Sequence, residues 1–316
     1  LGTVAAAVER PGRDLAVLAE ALARLEAEPF EAPLLVELQR ALAGEDGSAS
    51  AHIARLARRI EQLHARRNQF FAPIAFLLLW VVHLGYAIEA WRLRHGPRVA
   101  RWIEAVGALE ALASLSTWAF ENPADPFPTL EEGAALFDGE GVAHPLLPGA
   151  VPNDVRLGED LQALVVSGSN MSGKSTLLRT VGVNAVLAQA GAPVRARRLR
   201  LSPLRVGGTL RVQDSLQEGT SRFYAELRRI KQLVDLAGGA PPLLFLVDEI
   251  FHGTNSHDRR IGAEAILRGL IERGAIGLLT THDLALAQAA EALAPRAANV
   301  HFEDRIEAGR LVFDYR

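Results

Sequence analysis

The stretch "LQALVVSGSNMSGKSTLLRTVGVNAVLAQ" limits the possible folds more than any other part of the chain. A short apolar run with the length of a buried strand passes directly into a loop of glycines and serines, and the loop into an apolar pattern of helical length. The loop fits G-x-x-x-x-G-K-[ST] at Gly168, Gly173, Lys174 and Ser175. Its place between a strand and a helix is the context in which that pattern binds phosphate. Glycines let successive backbone N–H groups and the N-terminus of the following helix close around an anion. Lysine is used only twice, at Lys174 and Lys231, in a chain that otherwise writes its basic positions as arginine. At position 174 a compact ammonium on a flexible stem reaches β- and γ-phosphates, where a planar guanidinium fits poorly. Gly168, Ser169, Asn170, Met171, Ser172, Gly173, Lys174, Ser175 and Thr176 are therefore the expected nucleotide-binding set, with the Ser175 hydroxyl on Mg²⁺.

Two more strand-like runs end in groups suited to the same chemistry. "PLLFLVDEI" ends in Asp248 and Glu249, and "AIGLLTTHD" in His282. Ligands of open parallel sheets collect at the carboxyl ends of the strands. Asp248 is expected in the Mg²⁺ shell, Glu249 to polarise the water that attacks the γ-phosphate, and His282 to sense that phosphate or position the water. Lys174, Glu249 and His282 form the expected catalytic set, Ser175 and Asp248 the metal set, and ATP with Mg²⁺ the implied ligands. Gly219, Thr220 and Ser221 in "DSLQEGTSRFYAEL" precede another helical pattern and make a second possible anion-binding N-terminus. The chain already carries one phosphate site, so the natural ligand of Ser221 is the nucleotide of a second subunit. That predicts a homodimer with composite sites.

The chain has 316 residues, 49% of them hydrophobic, enough for one large core or two ordinary ones. Its 34 Lys and Arg against 37 Asp and Glu give a formal charge of -3, so there is no overall basic field for nucleic acid or an acidic membrane. Any contact with DNA must be local, and "RARRLRLSPLR" from Arg195, "HIARLARRIEQLHARR" from His52 and "RLRHGPRVAR" from Arg92 are the candidates. The absence of cysteine excludes disulfides and thiolate sites and suits a cytoplasmic location. No signal peptide opens the sequence, and with Met171 its single methionine, residues upstream of Leu1 are expected.

From Thr3 to about Phe120, apolar residues at three- and four-residue spacing predict an all-helical domain of five or six helices, broken at "ERPGRD", "LAGEDGSASAH" and "LRHGPRV". "FFAPIAFLLLWVVHLGYAI", Phe70 to Ile88, is apolar enough to suggest a membrane span. Pro73, His83 and basic flanks on both sides favour a buried central helix instead. The proline-rich "ENPADPFPTLEEG" reads as a linker, which predicts domains at 1–125 and 126–316. Beyond it strands alternate with helices, so the fold expected is α/β: a mixed, mostly parallel sheet of the P-loop NTPase kind, preceded by the helical domain.

Several stretches together resemble the MutS family, within the ABC class of ATPases. The family's phosphate loop is similar to G-P-N-M-G-G-K-S-T, and this chain has "GSNMSGKST" with Asn170 and Met171 in place. "DEIFHGTNSHD" from Asp248 resembles D-E-I-G-R-G-T-S-x-x-D, "THDLAL" resembles T-H-x-x-x-L, and "GVAHPLLP" and "VPNDVRL" resemble segments ahead of the family's phosphate loop. The resemblance implies that Ser221 acts across a dimer on the partner's γ-phosphate and that Asn170 helps place water or phosphate. It implies ATP hydrolysis coupled to the handling of DNA, as in mismatch repair. The departures are Thr220 where the family often has Arg, Phe251-His252 in place of Gly-Arg, and no Phe-x-Glu wedge in a mismatch-reading context.

Three readings follow. The first is a MutS-like ATPase coupled to mismatch-type DNA handling. The second is a related ATPase that acts on other DNA structures or on a membrane-linked partner. The third is a nucleotide-gated scaffold that turns over negligibly. An ABC transporter subunit is disfavoured, because the Gly219–Ser221 element lies far upstream of Asp248 and lacks the L-S-G-G-Q signature.

Overall fold

The computed structural model describes residues 12–44, 46–64, 72–169, 171–209, 222–250, 256–283, 290–307, 310–313 and 315. The chain divides into two compact units, Leu1–Leu115 and Ser116–Arg316. The division falls inside a helix, just ahead of the proline-rich stretch at Glu121–Gly133.

The described residues of the first unit form helices only: α1 (Gly12–Ala27), α2 (Pro33–Arg40), α3 (Ala49–His64), α4 (Ala72–Leu77) and the start of α5 (Trp80–Glu121). Their ends are tied by side chains, which supply partners that helix termini lack. The Gln39 amide donates to the carbonyls of Leu25 and Glu28 at 2.9 and 2.7 Å, capping the end of α1. The Glu26 carboxylate accepts the Ser50 N–H at 2.9 Å and places negative charge at the start of α3. Leu22, Leu42, Ile53, Trp91 and Trp102 fill one apolar cluster, and Ile60, Leu63, Leu84 and Ile88 a second.

Two expectations for this unit are corrected. "LRHGPRV" does not break the chain, because α5 runs through Pro97. Proline disfavours helix for the residue before it through a clash with that residue's Cβ, and here that residue is Gly96, which has none. The apolar run Phe70–Ile88, of which Phe70 and Phe71 lie outside the described residues, is neither one helix nor buried throughout. Leu79, with φ of 48°, interrupts it between α4 and α5. Phe76 and Leu77 are 84% and 83% exposed, while Leu84 and Ile88 face the core. Among the described residues no helix is long and apolar enough to cross a membrane.

The second unit is mixed α/β. Its strands and helices are β1 (Thr129–Leu130), β2 (Phe137–Val142), β3 (Asn153–Leu157), β4 (Ala163–Gly168), α6 (Lys174–Gln189), β5 (Arg198–Leu201), β6 (Arg205–Thr209), α7 (Arg222–Ala237), β7 (Leu243–Asp248), α8 (Ser256–Glu272), β8 (Ile276–Thr281), β9 (Ala297–Phe302), β10 (Asp304–Glu307) and β11 (Arg310–Phe313). A five-stranded sheet in the order β6-β7-β8-β4-β9 is parallel throughout. A four-stranded sheet, β1-β5-β2-β3, is mixed, and β10 and β11 form a hairpin.

The parallel sheet is covered on both faces, as parallel sheets require. Along β4 and β7 successive side chains alternate between two cores. Leu164, Val166, Leu244 and Leu246 pack with α6 and the mixed sheet. Ala163, Val165, Phe245 and Val247 pack with α7 and α8. The arginine-rich run from Arg195 lies largely on β5 and is paired: Arg195 with Asp125 at 3.0 Å, Arg198 with Glu140 at 2.7 Å and Arg200 with Glu131 at 2.6 Å. Its charge is therefore balanced within the unit.

Phe245 is fully buried in the middle strand region. Phe245→Ala is expected to lower the stability of the second unit by about 3–5 kcal/mol. Phe120→Ala, at a residue 86% exposed, should change it by less than about 0.5 kcal/mol. Chemical denaturation of the two variants against the parent checks both values.

Candidate functional site

The carboxyl ends of β4, β7 and β8 meet at one edge of the parallel sheet, and their register decides which groups become neighbours. Val166 and Asp248 both pair with Thr280, and Ser167 with Thr281. Asp248 and Thr280 thus end adjacent strands side by side, with the loop after Gly168 beside them. The sequence-predicted residues Lys174, Ser175, Asp248, Glu249 and His282 are all brought to this edge.

The loop from Gly168 to Gly173 needs its glycines for definite reasons. Gly168 has φ of 151°, and a Cβ there would lie 3.1 Å from the backbone oxygen of Phe302 and 2.9 Å from Ser172 Oγ. Gly173 caps α6 with φ of 99°, against the ring of Tyr315. Lys174 is almost fully buried, and its Nζ donates to the carbonyls of Gly168 at 2.9 Å and Ser169 at 2.6 Å. Burial pushes its pKa down, against the opposing pull of the Glu249 and Asp248 carboxylates. The hydroxyls of Ser169 and Ser172 are buried without a hydrogen-bond partner among the described residues. Buried polar groups are nearly always satisfied, so two orphan hydroxyls in one loop point to an acceptor-rich ligand.

Asp248 is the hub of the opposite side. Its Oδ1 accepts from the Ser175 hydroxyl at 2.9 Å and from the Thr280 hydroxyl at 2.7 Å. Thr280 Oγ1 in turn accepts the Glu249 N–H at 3.1 Å. That bond supports Glu249 in the left-handed backbone region, with φ of 46°, a conformation that costs a non-glycine residue energy and clusters at functional sites. Met171, with φ of 71°, and Tyr315, with φ of 56°, are residues of the same kind beside the cavity. The Glu249 carboxylate lies 3.3 Å from His282 Nδ1. Ser175 and Asp248 form an all-oxygen pair, the donor type that suits Mg²⁺.

A cavity of about 780 Å³ opens from these groups. Lys174, Ser175, Thr176 and Glu249 line its polar end, and His144, Val151, Asn153, Phe302 and Tyr315 form another wall. Asn153 Nδ2 donates to the Tyr315 carbonyl at 3.0 Å, joining two segments far apart in sequence. Volume and lining match a small-molecule site with an anionic end and an apolar, aromatic end.

Sequence reasoning missed Thr280 and Tyr315. The first is visible only through strand register, although the "TTH" at the strand end was a cue. The second reaches the cavity from the chain's far end. Asn170, the Gly219–Ser221 element and the loop Phe251–Asn255 lie outside the described residues.

Residues 164–316 match the family model of MutS domain V. That segment begins in β4 and contains Lys174, Asp248, Glu249, Thr280 and His282, while the β2–β3 wall of the cavity lies ahead of it. The chain is similar to Endonuclease MutS2 of Thermus thermophilus, 35% identical over 60% of this chain and 25% of that protein. It is 33% identical to DNA mismatch repair protein MutS of Methanosarcina mazei over 69% of this chain and 25% of that protein. It is 34% identical to DNA mismatch repair protein MSH3 of Phaeosphaeria nodorum over 67% of this chain and 20% of that protein. The chain thus spans about a quarter of the length of the curated MutS and MutS2 relatives it matches.

Thr280→Val removes the hydroxyl that joins Asp248 to the Glu249 N–H. It should destabilise the second unit by about 1–3 kcal/mol, the weight of a hydrogen bond to a charged carboxylate. Thr280→Ser should recover most of that loss. Equilibrium unfolding of both variants is the check.

Proposed function

We propose that this chain is the ATP-hydrolysing part of a MutS-type protein, with an ABC-class P-loop fold in its second unit. The single observation that carries the reading is the constellation of Lys174, Ser175, Asp248, Glu249 and His282 at one sheet edge, with Lys174, Ser175 and Glu249 lining a nucleotide-sized cavity. The match to MutS domain V supports it, because the matched segment contains that whole set.

The roles follow from position. Lys174 Nζ, which donates to two loop carbonyls, is the cation that would exchange them for phosphate oxygens. The orphan Ser169 and Ser172 hydroxyls and the N-terminus of α6 would donate to the same anion. Tyr315 and Val151 offer an apolar and aromatic surface for the base. Ser175 and Asp248 would hold Mg²⁺, which when bound offsets charge on the phosphate oxygens. Glu249 orients a water and accepts its proton as the water oxygen bonds to the γ-phosphorus. The bond from that phosphorus to the β–γ bridging oxygen breaks, and ADP leaves with the electron pair. His282, 3.3 Å from Glu249, fixes the direction of that carboxylate.

The substrate coupled to hydrolysis is DNA in this reading, which rests on the similarity to MutS, MutS2 and MSH3. The balanced arginines of β5 argue for contact elsewhere on the complete protein. A second copy would complete each site through Ser221.

Glu249→Gln should leave ATP affinity within about threefold of the parent and lower steady-state phosphate release by about 10²–10⁴-fold, the usual weight of a general base. DNA should stimulate the parent, and the duplex, mismatched or branched structure that stimulates most identifies the substrate. Unchanged turnover in the Gln variant would remove Glu249 from the chemistry. Turnover indifferent to every DNA structure would remove DNA from the reading.

A further inference from the structure

In the helical unit, the turn between α2 and α3 sets Asp46 against two histidines that the nucleotide chemistry does not use. His52 on α3 and His95 on α5 are 1% and 4% exposed, and their rings stack with centroids 4.0 Å apart. Trp102 lies parallel to the His52 ring at 6.0 Å, and Trp91 packs at a tilt on His95. The two imidazoles are therefore held in an aromatic slot whose one polar opening is Asp46.

A buried histidine in a core ordinarily gives or takes hydrogen bonds through its ring nitrogens. Here Nδ1 and Nε2 of His52 and Nδ1 of His95 are all buried without such a partner among the described residues. His52 Nε2 lies 3.5 Å from Asp46 Oδ1, and His95 Nδ1 3.7 Å from Asp46 Oδ2. One ligand atom from each of the three residues lies within 4.8 Å of the others. Four-coordinate zinc, with bonds of about 2.0–2.1 Å, holds its ligand atoms about 3.4 Å apart. The two separations, one to each oxygen of the carboxylate, are near that value. The stacked rings have to turn about their Cβ–Cγ bonds for both nitrogens to face one ion.

The surroundings suit such an ion. A Cβ on Gly47 would sit 3.5 Å from His52 Nε2, so the glycine leaves the approach to that nitrogen open. Arg98 Nη1 donates to Asp46 Oδ1 at 2.6 Å, the kind of outer partner that orients a ligating carboxylate. Arg94 and Arg98 are 70% and 43% exposed, so both side chains can swing into solvent when an ion takes their place beside Asp46.

We propose that Asp46, His52 and His95 bind one divalent transition-metal ion of the zinc class, through one carboxylate oxygen and two imidazole nitrogens. Imidazole with carboxylate selects zinc-like ions over Mg²⁺, which prefers oxygen ligands alone. The ion clips the turn at Asp46 to α3 and α5, and so makes the helical unit's stability depend on metal.

The test uses the full chain, stripped with chelator and kept in millimolar Mg²⁺ so that the oxygen site at Asp248 is not counted. Titration with Co²⁺, followed by its visible absorption, should show one equivalent bound per chain, displaced by Zn²⁺. Zn²⁺ should raise the melting temperature of the parent. Asp46→Asn should weaken Co²⁺ binding at least about tenfold, and His83→Ala should leave it unchanged. X-ray absorption of the zinc-loaded parent needs no variant and should show two imidazoles in the metal's shell. No stoichiometric Co²⁺ band, an Asp46→Asn titration equal to the parent's, or a shell of oxygen alone would each overturn the proposal.

Discussion

Asp248 Oδ1 accepts two hydroxyl hydrogen bonds, from Ser175 at the start of α6 and from Thr280 near the end of β8, and the arrangement of the site depends on that junction. It exists because β7 and β8 run parallel in the register that pairs Asp248 with Thr280. A slip of one residue would turn the Thr280 hydroxyl to the other face of the sheet. Asp248 would then keep Ser175 alone, and the Glu249 N–H would lose its acceptor. The cores on the two faces of the sheet fix the register, so packing far from the cavity determines geometry within it.

The same junction explains where strain is kept. Glu249, Met171 and Tyr315 adopt left-handed backbone around the cavity, and at Glu249 the N–H is tied to Thr280 Oγ1. A strand that simply continued past Asp248 would put the next carboxylate on the opposite face of the sheet. The turn at Glu249 instead sends it toward His282. Position is what the protein supplies, in keeping with phosphoryl transfer, where little covalent work falls to side chains.

Much of this was legible in the sequence because the decisive signals are local. The three apolar runs before Gly168, Asp248 and His282 are buried on both faces, so they read as strands without ambiguity, and α6 and α8, which follow the first two, carry apolar residues at helical spacing. The strands β2, β3 and β6 were harder, since "FDGEGV", "NDVRL" and "RVGGT" are short, polar or glycine-bearing and gain their pairing from tertiary context. Pro97 misled because a proline's effect depends on its neighbour, and Gly96 removed the clash. Hydropathy also misled at Phe76–Leu79, where four apolar residues in a row meet too few partners to be buried. Thr280 and Tyr315 could not be read locally, because one is placed by register and the other by a long return of the chain. The histidine cluster was invisible for a related reason: Asp46, His52 and His95 carry no spacing motif and meet only when α5 packs on α3.

The most direct measurement is a crystal structure of the full chain with a non-hydrolysable ATP analogue and Mn²⁺ in place of Mg²⁺, the ion located by its anomalous signal. Lys174 Nζ should leave the carbonyls of Gly168 and Ser169 for phosphate oxygens, the Mn²⁺ peak should fall beside Ser175 and Asp248, and the base should lie against Tyr315. A nucleotide bound elsewhere, or a Mn²⁺ ion that touches neither Ser175 nor Asp248, would contradict the account.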